Sequence, residues 1–200
     1  MLTRSLRRPR EKSPSANHTL QVSTLQQTLR SEPYSLSVVT LSLDDIYLTH
    51  DDQAALAKAH PTNPLLQHRG QPSTHDLALG GQVFTSLAAE RPTAIPQYDK
   101  SAFAGQGDRV PQSQWQVVNN EGQEKVKVVI FEGWCVGFRA WDEKTLHAKW
   151  EAAVQQKNSG NYQGRLGHVT FEDVQTVNSA LKQYDALTEY VTLGKTRLMV

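Results

Sequence analysis

The sequence predicts an α/β domain in which a parallel β-sheet is flanked by helices, in three layers. Two runs of apolar and β-branched residues, at 36–43 and 125–134, have the composition of buried strands. Around them, apolar residues recur at helical spacing, so that strands and helices alternate along the chain. This alternation is typical of parallel sheets, because parallel neighbours need a crossover connection that is usually helical.

Length, charge and cysteine content exclude several classes of protein. The 200 residues are enough for one domain with a sizeable core, and 21 basic against 20 acidic residues leave a net charge of +1. Such a balance gives no general attraction to nucleic-acid polymers or anionic membranes. No apolar run approaches the roughly 18 residues of a spanning helix. Oligomeric state is not predicted.

Cys135 is the single cysteine, which excludes an internal disulfide framework and a multi-cysteine zinc site. A reducing compartment follows, and we expect the cytoplasm. The first ten residues, "MLTRSLRRPR", are rich in arginine and lack acids. Mitochondrial targeting is therefore the alternative.

The first third of the chain predicts a disordered segment, a helix and a strand. Residues 1–18 are polar and rich in Ser, Arg and Pro, which favours disorder, so the domain is expected to cover 19–200. A helix over 19–30 places its apolar residues on one face, namely Val22, Leu25 and Leu29. The strand at 36–43 follows the break "SEPYS".

Two helices and a long loop are predicted before the second strand. Thr49 is expected to cap a helix over 51–59, and Ser73 or Thr74 a helix over 75–89. A loop over 93–111 begins with a short strand and is rich in glycine and charge. Loops of this length inside a domain are often functional.

The second strand, 125–134, is apolar on both faces, which indicates a central position in the sheet. Two further helices are marked by their apolar spacing and, for the last one, by a cap. The residues that mark them are Leu146, Trp150 and Val154, then Thr170 with Asp173, Val174, Val177, Leu181 and Tyr184.

Both predicted strands end in acids, with Asp44 and Asp45 on the first and Glu132 on the second. Ligands of parallel sheets bind at the carboxyl ends of strands, so neighbouring strands would bring these carboxylates to one rim. Carboxylates there suit a hydrated Mg²⁺ or a general base for a hydroxyl. The alternative is that acids end strands because strands meet solvent there. Glu132 fits that alternative poorly, because an acid within apolar sequence needs a partner or a metal.

Two loops supply positive charge. An arginine and a lysine on separate loops above one rim can clamp a carboxylate or phosphate, as Arg69 and Lys100 would. The alternative is ordinary solvated surface charge. His68 and His75 do not have the spacing of a zinc motif, and Cys135 beside Trp134 indicates a buried thiol.

Four motifs in order resemble the D-glycerate 3-kinase group of P-loop kinases, in particular its fungal members. They are "SLDDIY" (42–47), "HRGQPSTHD" (68–76), "IPQYDKSAFAGQGDR" (95–109) and "VVIFEGWCVGF" (128–138). Any one of them is only moderately specific, but their common order over roughly 100 residues is specific. The similarity extends over about residues 19 to 190.

The resemblance implies ATP-dependent, Mg²⁺-assisted phosphorylation of a hydroxyl on a small, glycerate-like molecule. Asp44 matches the acid that accepts the hydroxyl proton, and Asp45 and Tyr47 complete its motif. Glu132 matches the Walker-B-like acid, and metal binding is assigned to Glu132 with Asp44. The residues that match the substrate-side loops are Tyr47, Arg69, His75, Asp76, Tyr98, Lys100 and Arg109.

The sequence departs from this group at the nucleotide site. The group has a G-x-x-x-x-G-K-[ST] loop that cradles phosphates, but "REKSPSANH" precedes the first helix here and the first glycine is Gly70. We therefore expect a domain incomplete at both ends, no assignable ATP-binding residues and impaired transfer. Two alternatives stay open: a non-catalytic binding or interaction module, and a gene model that has lost exons.

Overall fold

The computed structural model describes residues 14–160, 162–192 and 198–199. The helices in these ranges are α1 (Pro14–Arg30), α2 (His50–Ala59), α3 (Leu77–Ala88), α4 (Glu143–Asn158), α5 (Phe171–Leu181) and α6 (Asp185–Thr192). The strands are β1 (Val38–Ser42), β2 (Thr93–Ile95), β3 (Tyr98–Asp99), β4 (Asp108–Arg109), β5 (Gln116–Val118), β6 (Val128–Glu132) and β7 (Leu198–Met199). Short 3₁₀ turns lie at Leu43–Ile46, Phe103–Gly105, Gln112–Gln114, Leu166–His168 and Lys182–Tyr184.

The main sheet is parallel and has the order β1-β6-β7. Pairing between β1 and β6 runs in register from Val38 opposite Val128 to Ser42 opposite Glu132. The predicted parallel sheet is confirmed, and so is the central position of the second apolar strand. Two small antiparallel ribbons, β2 with β5 and β3 with β4, lie within the long loop and its continuation.

Side chains of the sheet alternate between two hydrophobic layers, as the pleat requires. On one face, Val38, Val128 and Ile130 pack with Val22 of α1. On the other face, the cluster contains strand residues, α3 residues and Leu187 of α6. Its members include Val39, Leu41, Phe131, Val83, Phe84 and Leu87. Burial on both faces gives the three-layer arrangement and supplies its main stabilisation.

Helix α1 begins at Pro14, whereas the sequence predicted a start at residue 19. Residues 14–18 are therefore helical here, and proline is well tolerated in a first helical turn, where its missing N–H is not needed. The rest of the predicted disordered segment, residues 1–13, lies outside the described residues. None of the helices in the described ranges is long and apolar enough to cross a membrane.

The predicted N-cap of α3, Ser73 or Thr74, was wrong. Asp76 caps α3, with its Oδ1 accepting the Leu79 N–H at 2.9 Å. The hydroxyl of Thr74 is used within the preceding loop, where it accepts the Gly70 N–H and donates to the Gln71 carbonyl. Ser73 has a left-handed backbone, with φ of 96°, unlike the extended conformation usual at an N-cap.

The predicted caps of α2 and α5 are confirmed. The Thr49 hydroxyl accepts the Asp52 N–H, and Thr170 with Asp173 forms a capping box. The last predicted helix, which was expected to include Val174, Leu181 and Tyr184, is interrupted. Helix α5 ends at Leu181, and Tyr184 lies in a 3₁₀ turn before α6.

The turn after β6 requires glycine. Gly133 has φ of 157°, and a Cβ added there would lie 2.5 Å from Leu43 Cβ. No real Cβ contact is that short, so the backbones leaving β1 and β6 approach each other only because residue 133 has no side chain. The glycine thus allows the carboxyl ends of the two strands to close on one rim.

We predict that Gly133→Ala lowers the free energy of unfolding by about 1–3 kcal/mol, the usual cost of overpacking. The matched control is Gly81→Ala within α3, where an added Cβ meets no atom within 4 Å. That control is expected to be neutral or to stabilise by up to about 1 kcal/mol. Urea denaturation of both variants measures the difference, and equal effects would contradict the close approach.

Candidate active site

The carboxyl edge of the main sheet brings three acids together. Ser42 pairs with Glu132 in register, and Asp44 and Asp45 follow in the 3₁₀ turn that begins one residue after β1. The negative charges of Glu132 and Asp44 both act on the Asp45 carboxyl, which indicates that the three acids lie close together. The predicted adjacency of the two strand ends is thus confirmed, while the roles of the acids are a separate question.

Asp45 is directed towards the backbone. Its Oδ2 accepts the Ser42 N–H at 3.4 Å, which closes the turn after β1. The Tyr98 N–H also bonds to it. The pKa of the Asp45 carboxyl is raised to about 6, mainly by burial and also by the charges of Glu132 and Asp44, while these hydrogen bonds act to lower it. Asp45 therefore joins the turn to β3, which favours a positioning role.

Asp44 faces a cavity of about 540 Å³. Lys100 Nζ lies 2.5 Å from its Oδ2, and the Tyr47 hydroxyl is hydrogen-bonded to the same carboxylate. Burial raises the pKa of the Tyr47 phenol, and the Asp44 charge adds to the effect, so that this phenol stays protonated as the donor. The other lining residues are His50, Gln53, Ala54, Gln67, His68, Arg69, Ala104, Gly105 and Gln106.

Tyr47 is held in place by a buried histidine. The ring of His75 stacks on that of Tyr47 with centroids 4.4 Å apart, and His75 Nδ1 lies 2.6 Å from the Tyr184 hydroxyl. His75 is 5% exposed, and burial lowers its pKa to about 4, so the ring is neutral at pH 7. The Tyr184 hydroxyl accepts the Ser73 N–H and can donate its proton to His75 Nδ1. These contacts hold Tyr47, which lines the cavity, while His75 and Tyr184 do not line it.

Arg69 fixes the loop that carries Lys100. Its Nη1 donates to the carbonyl oxygens of Gly105, at 2.8 Å, and Gln106, and its Nη2 donates to that of Lys100 at 3.4 Å. The guanidinium also lies 5.7 Å from the centre of the Tyr98 ring. Arg69 therefore lines the cavity but uses its donors on the 100–106 backbone.

Arg109 and Asp76 form a half-buried ion pair outside the cavity lining. Arg109 Nη2 lies 3.2 Å from Asp76 Oδ2 and donates to the Tyr47 carbonyl at 2.8 Å. Because Asp76 also caps α3, the pair connects that helix to the chain around Tyr47. Tyr98 packs edge-on against Tyr47, with ring centroids 5.3 Å apart.

The structure thus divides the predicted site residues into two groups. Asp44, Tyr47, Arg69 and Lys100 line the cavity. The others are absent from its lining, and they are Asp45, His75, Asp76, Tyr98, Arg109 and Glu132. Their assignment as catalytic or substrate-binding stays a prediction, and for all of them except Glu132 the contacts described above favour support of the cavity wall.

Sequence reasoning missed several lining residues. His50 Nε2 lies 3.1 Å from Gln106 Oε1, and the His50 ring stacks on Phe103 with centroids 3.8 Å apart. Gln53 and Gln67 line the same cavity. No motif marks these residues in the sequence, because they come from the start of α2 and from loops that meet only after folding. His68 was noticed only as a loop histidine.

The rim fits a magnesium ion in its donor set. Within the described ranges, no group of three or more His, Cys, Asp or Glu residues is arranged to hold a metal. Mg²⁺ usually takes one or two carboxylates and completes its shell with water and substrate phosphates. The rim carries several carboxylates, and the charges of Glu132 and Asp44 add to burial in raising the pKa of Asp45, while Lys100 pairs with Asp44. Asp44 and Glu132 are the carboxylates at the ends of the two paired strands that would hold such an ion.

Comparison with known proteins finds kinases among the chains that are similar to this one. No family model matches the chain. It is 43% identical over 127 residues to the uncharacterized kinase mug58 of Schizosaccharomyces pombe, covering 62% of this chain and 45% of that protein. It is 41% identical over 104 residues to the chloroplastic D-glycerate 3-kinase of Arabidopsis thaliana, covering 50% of this chain and 22% of that protein.

Solved structures give the same result. The D-glycerate 3-kinase of Cryptococcus neoformans var. grubii superposes with a TM-score of 0.74 at 33% identity, covering 90% of this chain and 59% of that one. The resemblance predicted from the four motifs is confirmed: the chain is a homologue of D-glycerate 3-kinase and of fungal kinases. It spans about half the length, or less, of the curated relatives compared.

Two buried groups of this site predict opposing effects of pH on stability in magnesium-free buffer. The Asp45 pKa is raised from 3.8 to about 6, so the folded protein binds more protons between these values and its stability falls as pH rises. The His75 pKa is lowered from 6.5 to about 4, so the unfolded chain binds more protons and stability rises with pH. Each contribution is on the order of 2–3 kcal/mol at its limit.

Replacing either group should expose the other. We expect Asp45→Asn to give a stability that rises from pH 4 to pH 6.5, and His75→Gln one that falls from pH 4 to pH 6. Urea denaturation across this pH range measures both slopes, and only the slopes count, because each variant also loses contacts. Identical pH profiles of the two variants would contradict the assigned protonation states.

Proposed function

We propose that the cavity is the acceptor site of a small-molecule kinase, which transfers the terminal phosphoryl group of ATP to a hydroxyl. The observation that carries this proposal is the position of Asp44. Its carboxylate faces a polar cavity at the carboxyl end of β1, directly beside the strand that ends in Glu132. Carboxyl ends of parallel strands are where ligands of such sheets bind. The kinase relatives support the same reaction class.

In this proposal Asp44 accepts the proton of the attacking hydroxyl. Tyr47 donates to the Asp44 carboxylate and orients it, while the stacked His75 holds the phenol in place. The Asp45 carboxyl accepts the backbone N–H groups of Ser42 and Tyr98 and so stabilises the turn that carries the proposed base, Asp44. Glu132 would hold the Mg²⁺ that, when bound, neutralises charge on the transferred phosphoryl group.

The acceptor we propose is a short hydroxy acid of the glycerate type. The wall combines two cations, Arg69 and Lys100, with histidine and glutamine side chains, among them His50 and Gln53. Such a wall offers hydrogen bonds and positive charge to a small polar anion. The name of two relatives, D-glycerate 3-kinase, supports this acceptor class. We also propose a cytoplasmic location, consistent with the free, buried Cys135.

A second function is favoured by one specific observation. The acceptor cavity is formed by described residues, whereas the sequence contains no G-x-x-x-x-G-K-[ST] loop to position phosphates. These 200 residues could therefore bind a hydroxy acid without ATP, as a non-catalytic module. In either case we expect phosphoryl transfer by this chain alone to be impaired, because the phosphate cradle supplies positioning and electrostatic stabilisation.

The test combines calorimetry with a sensitive transfer assay. We expect D-glycerate to bind, and Asp44→Asn to lower any MgATP-dependent transfer by about 100-fold or more without abolishing acceptor binding, as expected for loss of a general base. The matched control is Glu90→Gln, which alters an exposed acid paired with Lys127 outside the cavity.

The possible results separate the candidates. D-glycerate binding without MgATP binding or transfer would favour the non-catalytic module. Absence of binding for D-glycerate and related hydroxy acids would overturn the assignment of the cavity as an acceptor site.

A further inference from the structure

The cations near the cavity differ in how they are engaged. Arg69 donates to three backbone carbonyl oxygens of the 100–106 loop. Arg109 is held by Asp76 and by the Tyr47 carbonyl, with a side chain only 15% exposed. Lys100, in contrast, is 58% exposed and bonds through its ammonium to the Asp44 carboxylate. An arriving anion can engage Lys100 without breaking backbone contacts of the loop.

The partner of Lys100 is the carboxylate to which the proposed function assigns the base. Lys100 Nζ and Asp44 Oδ2 are 2.5 Å apart, and both side chains line the cavity. A carboxylate whose oxygen is held by an ammonium is a poorer acceptor for a hydroxyl proton, because that lone pair is engaged and its charge is compensated. The contact therefore opposes the role of Asp44 for as long as it persists.

We propose that Lys100 exchanges partners when an anionic substrate binds, and that this exchange makes Asp44 available as the base. The inference rests on the proposed acceptor function of the same cavity. The substrate carboxylate pairs with Lys100, the Lys100–Asp44 ion pair opens, and the substrate hydroxyl takes its place on Asp44. As the hydroxyl oxygen forms its bond to the terminal phosphorus of ATP, the bond from that phosphorus to the bridging oxygen breaks and ADP leaves, while the hydroxyl proton passes to Asp44 Oδ2.

The exchange makes Lys100 a specificity determinant. A hydroxy acid can satisfy both groups at once, since its carboxylate serves Lys100 and its nearby hydroxyl serves Asp44. A neutral polyol such as glycerol offers no charge to Lys100, so the ion pair stays closed and the base stays engaged. The acceptor class is thereby restricted to short molecules that carry a hydroxyl close to an anionic group.

Partner exchange makes an unusual prediction for binding. Asp44 competes with the substrate for Lys100, so Asp44→Asn should tighten D-glycerate binding by about three- to tenfold, because the ammonium no longer has an internal counter-ion. Lys100→Met should weaken D-glycerate binding by about tenfold or more and leave glycerol binding unchanged. Lys100→Arg keeps the cation and should retain most of the affinity. In the double variant Asp44→Asn/Lys100→Met, the increase in D-glycerate affinity caused by Asp44→Asn should disappear.

Calorimetry with D-glycerate and glycerol measures these affinities, and thermal unfolding checks that each variant is folded. The matched controls are Lys127→Met and Glu90→Gln, which break an exposed lysine–carboxylate pair of 3.1 Å elsewhere on the surface and should not change either affinity. Weaker or unchanged binding of D-glycerate by Asp44→Asn, or a gain that persists without Lys100, would overturn the exchange.

The outcome can be separated from that of the proposed function. Tighter D-glycerate binding by Asp44→Asn, together with no MgATP-dependent transfer by the wild type, supports the exchange and contradicts the kinase proposal. Transfer that needs Asp44 but proceeds equally well on D-glycerate after Lys100→Met contradicts the exchange and leaves the kinase proposal in place.

Discussion

The parallel pairing of β1 with β6 is the constraint on which the site depends. Its register places Ser42 opposite Glu132, so the turn that carries Asp44 and Asp45 begins beside the end of β6. Such an arrangement crowds negative charge, which adds to burial in raising the pKa of Asp45. The hydrophobic layers on both faces of the sheet hold this register, because a slip by one residue would turn every strand side chain to the opposite layer.

Around this edge, many polar side chains stabilise the backbone or other side chains of the site. Arg69 braces the 100–106 loop, Arg109 joins Asp76 to the chain at Tyr47, and His75 supports the Tyr47 ring. These arginine and histidine side chains therefore mainly support the structure of the cavity wall. The consequence is a small lining set with the charged pair of Asp44 and Lys100 in it. A charged pair in a braced, partly open cavity can be exchanged without disturbing the fold.

Local patterns in the sequence predicted a large part of this architecture. Apolar runs marked both central strands, and alternation with helices indicated the parallel sheet. Thr49 and Thr170 marked helix starts, because a capping hydroxyl and its N–H partner lie within three residues of each other. The cap of α3 was missed since Asp76 follows a loop in which Thr74 already has partners. The start of α1 was placed too late, because its first residues are polar and show no apolar period.

The sequence by itself determined the class of fold, the acids at the strand ends and the resemblance to small-molecule kinases, because each depends on residues close together in the chain. Only the tertiary structure decided which side chains face the cavity. His50 and Gln106 meet across 56 positions, and so do Lys100 and Asp44. Contacts at such separations are set by how the loops pack against the sheet, and no local periodicity or spacing encodes them.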